Sequence, residues 1–251
     1  MTDYLTFALV APMASFGAVA VGERRTGWDR PARSAVLGLV AACLGLDRAD
    51  DDAQAELADA YGLALLARSA GQLLTDYHTV QVPPARRNRR FATRAAELAA
   101  PDLATMLTRR DYRTGAWHLA ALWPRRPARW ALPELSAAMH RPGFVPYLGR
   151  KSCPLGLPLA PLVIAAADPA GALMERDRSG PEATMANLAA LRAAHQAHGT
   201  PTLLLDAADV AEGDPRQLRT EFRRDTPLSR RRWQFALRAE TLLRPGPEPA
   251  A

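Results

Sequence analysis

Lysine is almost absent from this chain of 251 residues: Lys151 stands alone beside 31 arginines. Two causes fit. A GC-rich coding bias turns Lys into Arg throughout, and the abundance of alanine and proline agrees with it. A phosphate- or base-binding surface also favours arginine, whose planar fork makes paired hydrogen bonds and stacks on rings. Cysteine is nearly as scarce. Cys43 and Cys153, with no Cys-x-x-Cys, exclude a disulfide framework and a zinc site, and read as buried thiols in a reducing compartment. No apolar run approaches the roughly 18 residues a membrane span needs. The uncharged stretch 4–22 lacks the basic start of a secretory signal, and Pro12, Ser15 and Gly17 interrupt it. A cytoplasmic protein with no membrane partner is expected. The glycines match neither the P-loop nor the dinucleotide spacing, there is no Gly-x-Ser-x-Gly, and no carboxylate pair stands out. No cofactor is expected, and ordinary hydrolase or nucleotide-enzyme readings lose ground.

What is present is clustered charge. The 32 bases outnumber the 26 acids by six, yet residues 47–59 carry a local charge of −5, leaving +11 on the rest. Arginines gather at Arg86, Arg87, Arg89, Arg90 and Arg94, at Arg109, Arg110 and Arg113, and at Arg223, Arg224 and Arg230 to Arg232. With a pI near 10.0, this is the footprint of a polyanion binder. A solvated surface with nothing bound is the plain alternative.

The hydrophobic pattern predicts a strand at Tyr4–Val10, a loop to Arg30, and a helix from Pro31 with Val36, Leu37, Val40, Cys43 and Leu44 on one face. Gly38, Ala41 and Ala42 would let its other side approach a sheet. A short exposed helix follows over 49–60. Tyr61–Arg68 and Gln72–Val80 read as a hairpin turning at Ser69–Gly71. Residues 81–108 read as an arginine-rich insertion projecting from the fold. Trp117–Trp123 is a strand, Pro133–Arg141 a short helix, and Leu157–Ala167 an edge strand. The order approximates the βαββαβ plan, so an α+β fold is expected: a ferredoxin-like domain of the RNA-recognition type over 1–167, and a smaller C-terminal subdomain over 168–251. The latter holds one helix, about Glu182–His198, and a basic end.

Three stretches combine basic, polar and aromatic residues. Arg24, Arg25 and Thr26, with Arg33 and Ser34 at the helix start, could hold a phosphate on backbone N–H groups and guanidinium. Tyr77, His78 and Thr79 end a strand. Tyr147, Arg150, Lys151 and Ser152 surround the only lysine. Tyrosine for stacking, Arg and Lys for phosphate, and hydroxyls for sugar suit RNA. The plain alternative is that both tyrosines belong to the core. His195 and His198, three apart on a helix, lack a third ligand, so no metal is expected. Tyr77, His78 and Lys151 could serve acid–base work and charge stabilisation, so an enzyme is a competing reading. A protein-binding adaptor is a third.

The same stretches resemble the CasD family of type I-E CRISPR Cascade subunits. Residues 11–17 (APMASFG) resemble its GPxQxWG turn, and residues 25–39 its TRPT…PTKSGLLGLL helix entry. Residues 76–79 match DYHT, and 147–154 match YLGRKSCP. Phe16 stands where Trp is usual, and Ala11 and Ala32 also depart. The resemblance implies a non-catalytic RNA-binding subunit of the repeat-associated RNA-binding superfamily. It would hold the 5′ handle of the guide RNA against CasC backbone subunits and near the CasA large subunit, meeting target DNA only indirectly. The alternative it carries is an endoribonuclease trimming repeat RNA. Residues 81–113 would be the thumb, its Arg86 to Arg94 cluster reaching RNA phosphate or a neighbouring subunit, with Arg86, Arg87, Arg109, Arg110 and Arg113 among the RNA-binding residues.

Overall fold

The computed structural model describes residues 1–18, 20, 22–85, 89–196 and 201–246. In chain order its elements are β1 (Thr2–Ala14), β2 (Arg24–Arg25), α1 (Arg33–Cys43), α2 (Asp51–Ala60), β3 (Tyr61–Ser69), β4 (Gln72–Val82), α3 (Arg94–Leu98), β5 (Ala104–Pro124), α4 (Leu132–His140), β6 (Leu162–Ala166), α5 (Pro169–Ser179), α6 (Pro181–Thr184), α7 (Ala186–Gln196), β7 (Thr202–Asp206), β8 (Gln217–Ser229) and β9 (Gln234–Leu243). One mixed sheet runs β6-β1-β5-β3-β7-β9-β8, with β2 and β4 attached to β5. Every pairing is antiparallel except β2 with β5.

β1 lies between two strands and is covered on both faces, so it reads as a near-continuous apolar run. Its alternation sorts the core into two layers. Leu5, Phe7 and Leu9 pack with α1, α2 and α4, where Val36, Val40, Leu57, Leu135 and Met139 are buried. Tyr4, Ala8 and Val10 face α5, through Ala170 and Leu173. The expected edge strand is β6, which pairs only with β1 and starts after Pro158 and Pro161, so neither proline sits in the ladder.

Several expectations need correcting. Tyr61–Arg68 and Gln72–Val80 are consecutive strands but do not form a hairpin with each other. β3 pairs with the inner half of β5 and β4 with its outer half. The bend sits at Gly71 and Gly115, both at positive φ, and a Cβ at Gly71 would come 2.5 Å from the Thr114 carbonyl oxygen. The projection is therefore a two-stranded ribbon beginning at Gln72, with α3 at its tip. α2 is less exposed than expected, since Ala53, Leu57 and Ala58 are buried on one side. The helix expected at 182–198 is broken into α6 and α7 and is preceded by α5, whose Asp168 caps it at the Gly171 N–H. β7, β8 and β9 were not expected, and they extend the same sheet. Gly38 faces the Arg230 guanidinium rather than a sheet.

His118 lies on the inner half of β5, fully buried, edge-on to Phe16 with ring centroids 5.3 Å apart. Burial pushes its pKa down to about 4, against an ordinary 6.5. The unfolded chain takes up this proton first. The stabilisation is complete above about pH 6.5 and is lost as pH falls towards 4, up to roughly 3 kcal/mol at 1.36 kcal/mol per unit. Urea titrations at pH 7 and pH 4.5 should record that fall in the wild type and a smaller one in His118→Leu. Equal falls in the two proteins would contradict the buried neutral ring.

Candidate nucleic-acid interface

The loop at 147–154 is built on the end of β1. Ser15 N–H donates to the Leu148 carbonyl at 3.0 Å, Leu148 N–H to Cys153 at 2.9 Å, and Cys153 N–H to Arg150 at 2.8 Å. Tyr147 and Pro154 close the loop as an isolated bridge, and Leu148 and Cys153 are buried beneath it. Gly149 has φ +91, and a Cβ there would fall on the Ser15 carbonyl oxygen. Only glycine allows the loop to lie this close. Lys151 and Ser152 are exposed at its tip. Arg150 stacks on Tyr112 at 4.6 Å, leaving one buried guanidinium nitrogen without a partner.

The first stretch joins this loop through residues 15–18. Trp28 N–H donates to the Phe16 carbonyl at 2.7 Å, Gly17 bridges Gly27, and Ala18 N–H donates to Thr26 at 3.1 Å. Arg24 and Arg25 run parallel to Arg109 and Arg110 in register. All four are exposed, and none has a carboxylate at ion-pair distance among the described residues. Arg113 is half-buried further along β5, its Nε without a hydrogen-bond partner.

The second stretch lies farther out on the ribbon. Tyr77 is half exposed opposite Arg109, whose guanidinium sits 5.9 Å from the ring centre. His78 bonds to Asp76, and Thr79 is exposed. Tyr77 is three register steps from Leu74, the residue opposite Tyr112, about 10 Å along the strands. Tyr77 is thus a surface residue and not core. His78 is held by Asp76 on the ribbon, and Lys151 stands on the 147–154 loop. Arg86 and Arg87 lie outside the described residues, as does His198. His195 is taken up by the Gly115 carbonyl at 2.7 Å and by the edge of Trp117.

Arg33 is corrected. Arg33 is buried, donating to the carbonyls of Ala58 at 2.8 Å and Tyr61 at 2.6 Å and pairing with Asp206. The anion at the start of α1 is the protein's own: the Arg33 N–H donates to Asp225 at 2.9 Å. Ser34 offers its carbonyl to Arg230. Part of the C-terminal arginine cluster is likewise internal. Arg223 is 1% exposed and, with Arg30 and Arg238, surrounds Glu240. Arg238 also pairs with Asp206 and Asp225. Burial opposes charge on Asp206, but Arg33, Arg238 and Arg125 outweigh it and hold the carboxyl below its usual range. Sequence reasoning missed the exposed Trp233 and Phe222 of β8–β9. The aromatic directly after the run Arg230 to Arg232 was the signal available.

Comparison with known proteins agrees with this basic, ribbon-bearing sheet. The family described as CRISPR-associated protein (Cas_Cas5) matches residues 4–239, and the chain belongs to this Cas5 family. The "CRISPR system Cascade subunit CasD" of Escherichia coli (strain K12) is 35% identical over 189 residues, 72% of this chain and 80% of the relative. Two solved structures share the fold. A "CRISPR RNA-guided surveillance complex" chain has a TM-score of 0.62 at 20% identity, over 96% of this chain and 89% of that one. A "Crystal structure of Cas protein" gives 0.56 at 22%, over 99% and 98%. Among the described residues no helix is long and apolar enough to cross a membrane.

Proposed function

We propose that the protein is the CasD-type subunit of a Cascade surveillance complex and holds the 5′ handle of the guide RNA without catalysing its cleavage. The carrying observation is that Arg24 lies beside Arg109 and Arg25 beside Arg110, exposed on the two faces of the ribbon with no carboxylate at ion-pair distance among the described residues. Such a surface binds phosphates, while Tyr77, Tyr147 and the hydroxyls of Thr26, Thr79 and Ser152 supply stacking and sugar contacts. The strand run β6-β1-β5-β3, with α1 and α4 on one face, supports a ferredoxin-like domain ending near residue 167, with the C-terminal strands docked on it. The ribbon would then serve as the thumb, and CasC and CasA would be the neighbouring subunits, in the cytoplasm.

The test is handle-bearing RNA binding measured across salt. Replacing Arg24, Arg25, Arg109 and Arg110 by alanine should reduce the slope of log affinity against log salt by about 0.7 for each phosphate no longer neutralised. The RNA should be recovered intact in EDTA. An unchanged slope, or cleavage of the repeat, would contradict the proposal.

A further inference from the structure

A groove of about 970 Å³ runs between α1, residues 144–150 and the β8–β9 hairpin. Beneath it the arginines are neutralised: Arg30, Arg223 and Arg238 share Glu240, and Arg33 has Asp206. Within the groove the pattern reverses. Arg223 reaches its lining from below, already paired with Glu240, while Arg48, Arg150, Arg224 and Arg230 also line it and have no carboxylate at ion-pair distance among the described residues. Of the acids that line it, Asp225 is taken by Arg238 and the Arg33 N–H, and Asp47 by the Ala49 N–H.

Two of these arginines are brought together without an anion between them. The Arg48 Nε donates to the Arg230 carbonyl at 3.2 Å. Arg230 lies across Gly38, where a Cβ would come 2.7 Å from its guanidinium, and its Nε is buried without a partner. Burial, and then the charge of Arg48, weaken the hold of Arg230 on its proton. Such an arrangement has lower energy when an anion joins it.

The aromatic side of the groove is exposed, with Arg48 on one ring face. Trp233 is 60% exposed at φ +54, a conformation that non-glycine residues seldom adopt. Arg48 stacks over its ring at 4.0 Å, and Phe235 lies 6.2 Å away. Phe222 is 68% exposed on the neighbouring strand. Flat exposed rings beside unneutralised guanidiniums are the chemistry of single-stranded nucleic acid. An acidic peptide would satisfy the guanidiniums but would leave the ring faces without matching partners.

We propose that this groove binds one or two nucleotides of a single strand, with a base against Trp233 and Phe222 and a phosphate between Arg48 and Arg230. The proposal rests on the RNA-binding reading above. It extends the strand's path from Tyr147 and Arg150, which line the same groove, to the C-terminal hairpin.

The experiment is fluorescence anisotropy of the full chain with labelled single-stranded RNA carrying the handle sequence, and with DNA of the same sequence, across salt. Trp233→Ala should weaken binding roughly ten- to hundredfold, and Trp233→Phe should restore most of it. Arg48→Ala, at an exposed position that leaves folding intact, should lower the salt slope by about 0.7. Tighter binding of RNA than DNA identifies a guide strand as the occupant, and equal binding identifies any single strand; both support the groove. If the RNA binds but Trp233→Ala and Arg48→Ala behave as wild type, the groove is overturned while the loop at 147–152 stands. No binding by the wild type overturns both. Loss of a co-purifying protein in Trp233→Ala, with oligonucleotide affinity unchanged, assigns the groove to a protein and overturns the proposal.

Discussion

Glu240→Ala will destabilise the protein by about 3–5 kcal/mol, the cost of leaving buried charge uncompensated. One carboxylate, 2% exposed, receives Arg30 at 2.9 Å, Arg238 at 2.7 Å and Arg223 at 3.3 Å. Its removal strands three buried guanidiniums against one another. Asp225 and Asp206 can take up Arg238, but Arg30 keeps only Asp29 and the half-buried Glu221. Domains of this kind are stable by about 5–15 kcal/mol in all, so the loss is a large share. Urea unfolding at neutral pH measures it directly. Glu240→Gln should lose less, because its amide oxygen still accepts. The exposed pair of Arg126 with Glu56 is the control, worth less than about 1 kcal/mol. A Glu240→Ala midpoint matching the control would refute the account of how the C-terminal strands are held.

Gly149→Ala attacks the interface rather than the frame. Its φ of +91 disfavours any side chain, and the new methyl group would meet the Ser15 carbonyl oxygen, which is backbone and has no easy retreat. The loop must lift away from β1, breaking the Ser15–Leu148 hydrogen bond and exposing Leu148 and Cys153. A stability loss of about 2–4 kcal/mol is expected, within the range for strained backbone plus disrupted packing. RNA affinity should fall at the same time, since Arg150, Lys151 and Ser152 lose their fixed position. Gly213, also at positive φ but with open space around it, offers the comparison. Gly213→Ala should cost only the backbone strain and leave RNA binding alone.

The parts of the fold legible in the sequence were those whose apolar residues repeat locally. β1, α1, α4 and the edge strand β6 announce themselves by period and by flanking proline. The 147–154 loop was legible as a motif, and the structure supplies the reason in Gly149. What could not be read depends on distant partners. Arg33 looks like a phosphate ligand because its acceptors lie 25 and 28 residues away and its helix-capping carboxylate, Asp225, lies 192 away. Arg223 and Arg238 sit in strands that look solvated until Glu240 and Asp206 are brought beside them. α5 hides its packing behind Arg176 and Asp177, both buried in ion pairs with Glu182 and Arg68. Charge in this sequence was therefore a poor guide to exposure, and the arginines that remain free are the ones that define the interface.

The most direct test of the central claim is ultraviolet crosslinking of handle-bearing guide RNA in the assembled complex, with the attached peptides identified by mass spectrometry. The account predicts crosslinks within residues 147–152, at Tyr77 and along Arg109–Arg113, concentrated on the handle nucleotides. Crosslinks confined to other surfaces, or complex assembly with guide RNA held equally well after Arg150→Ala and Lys151→Ala, would contradict it.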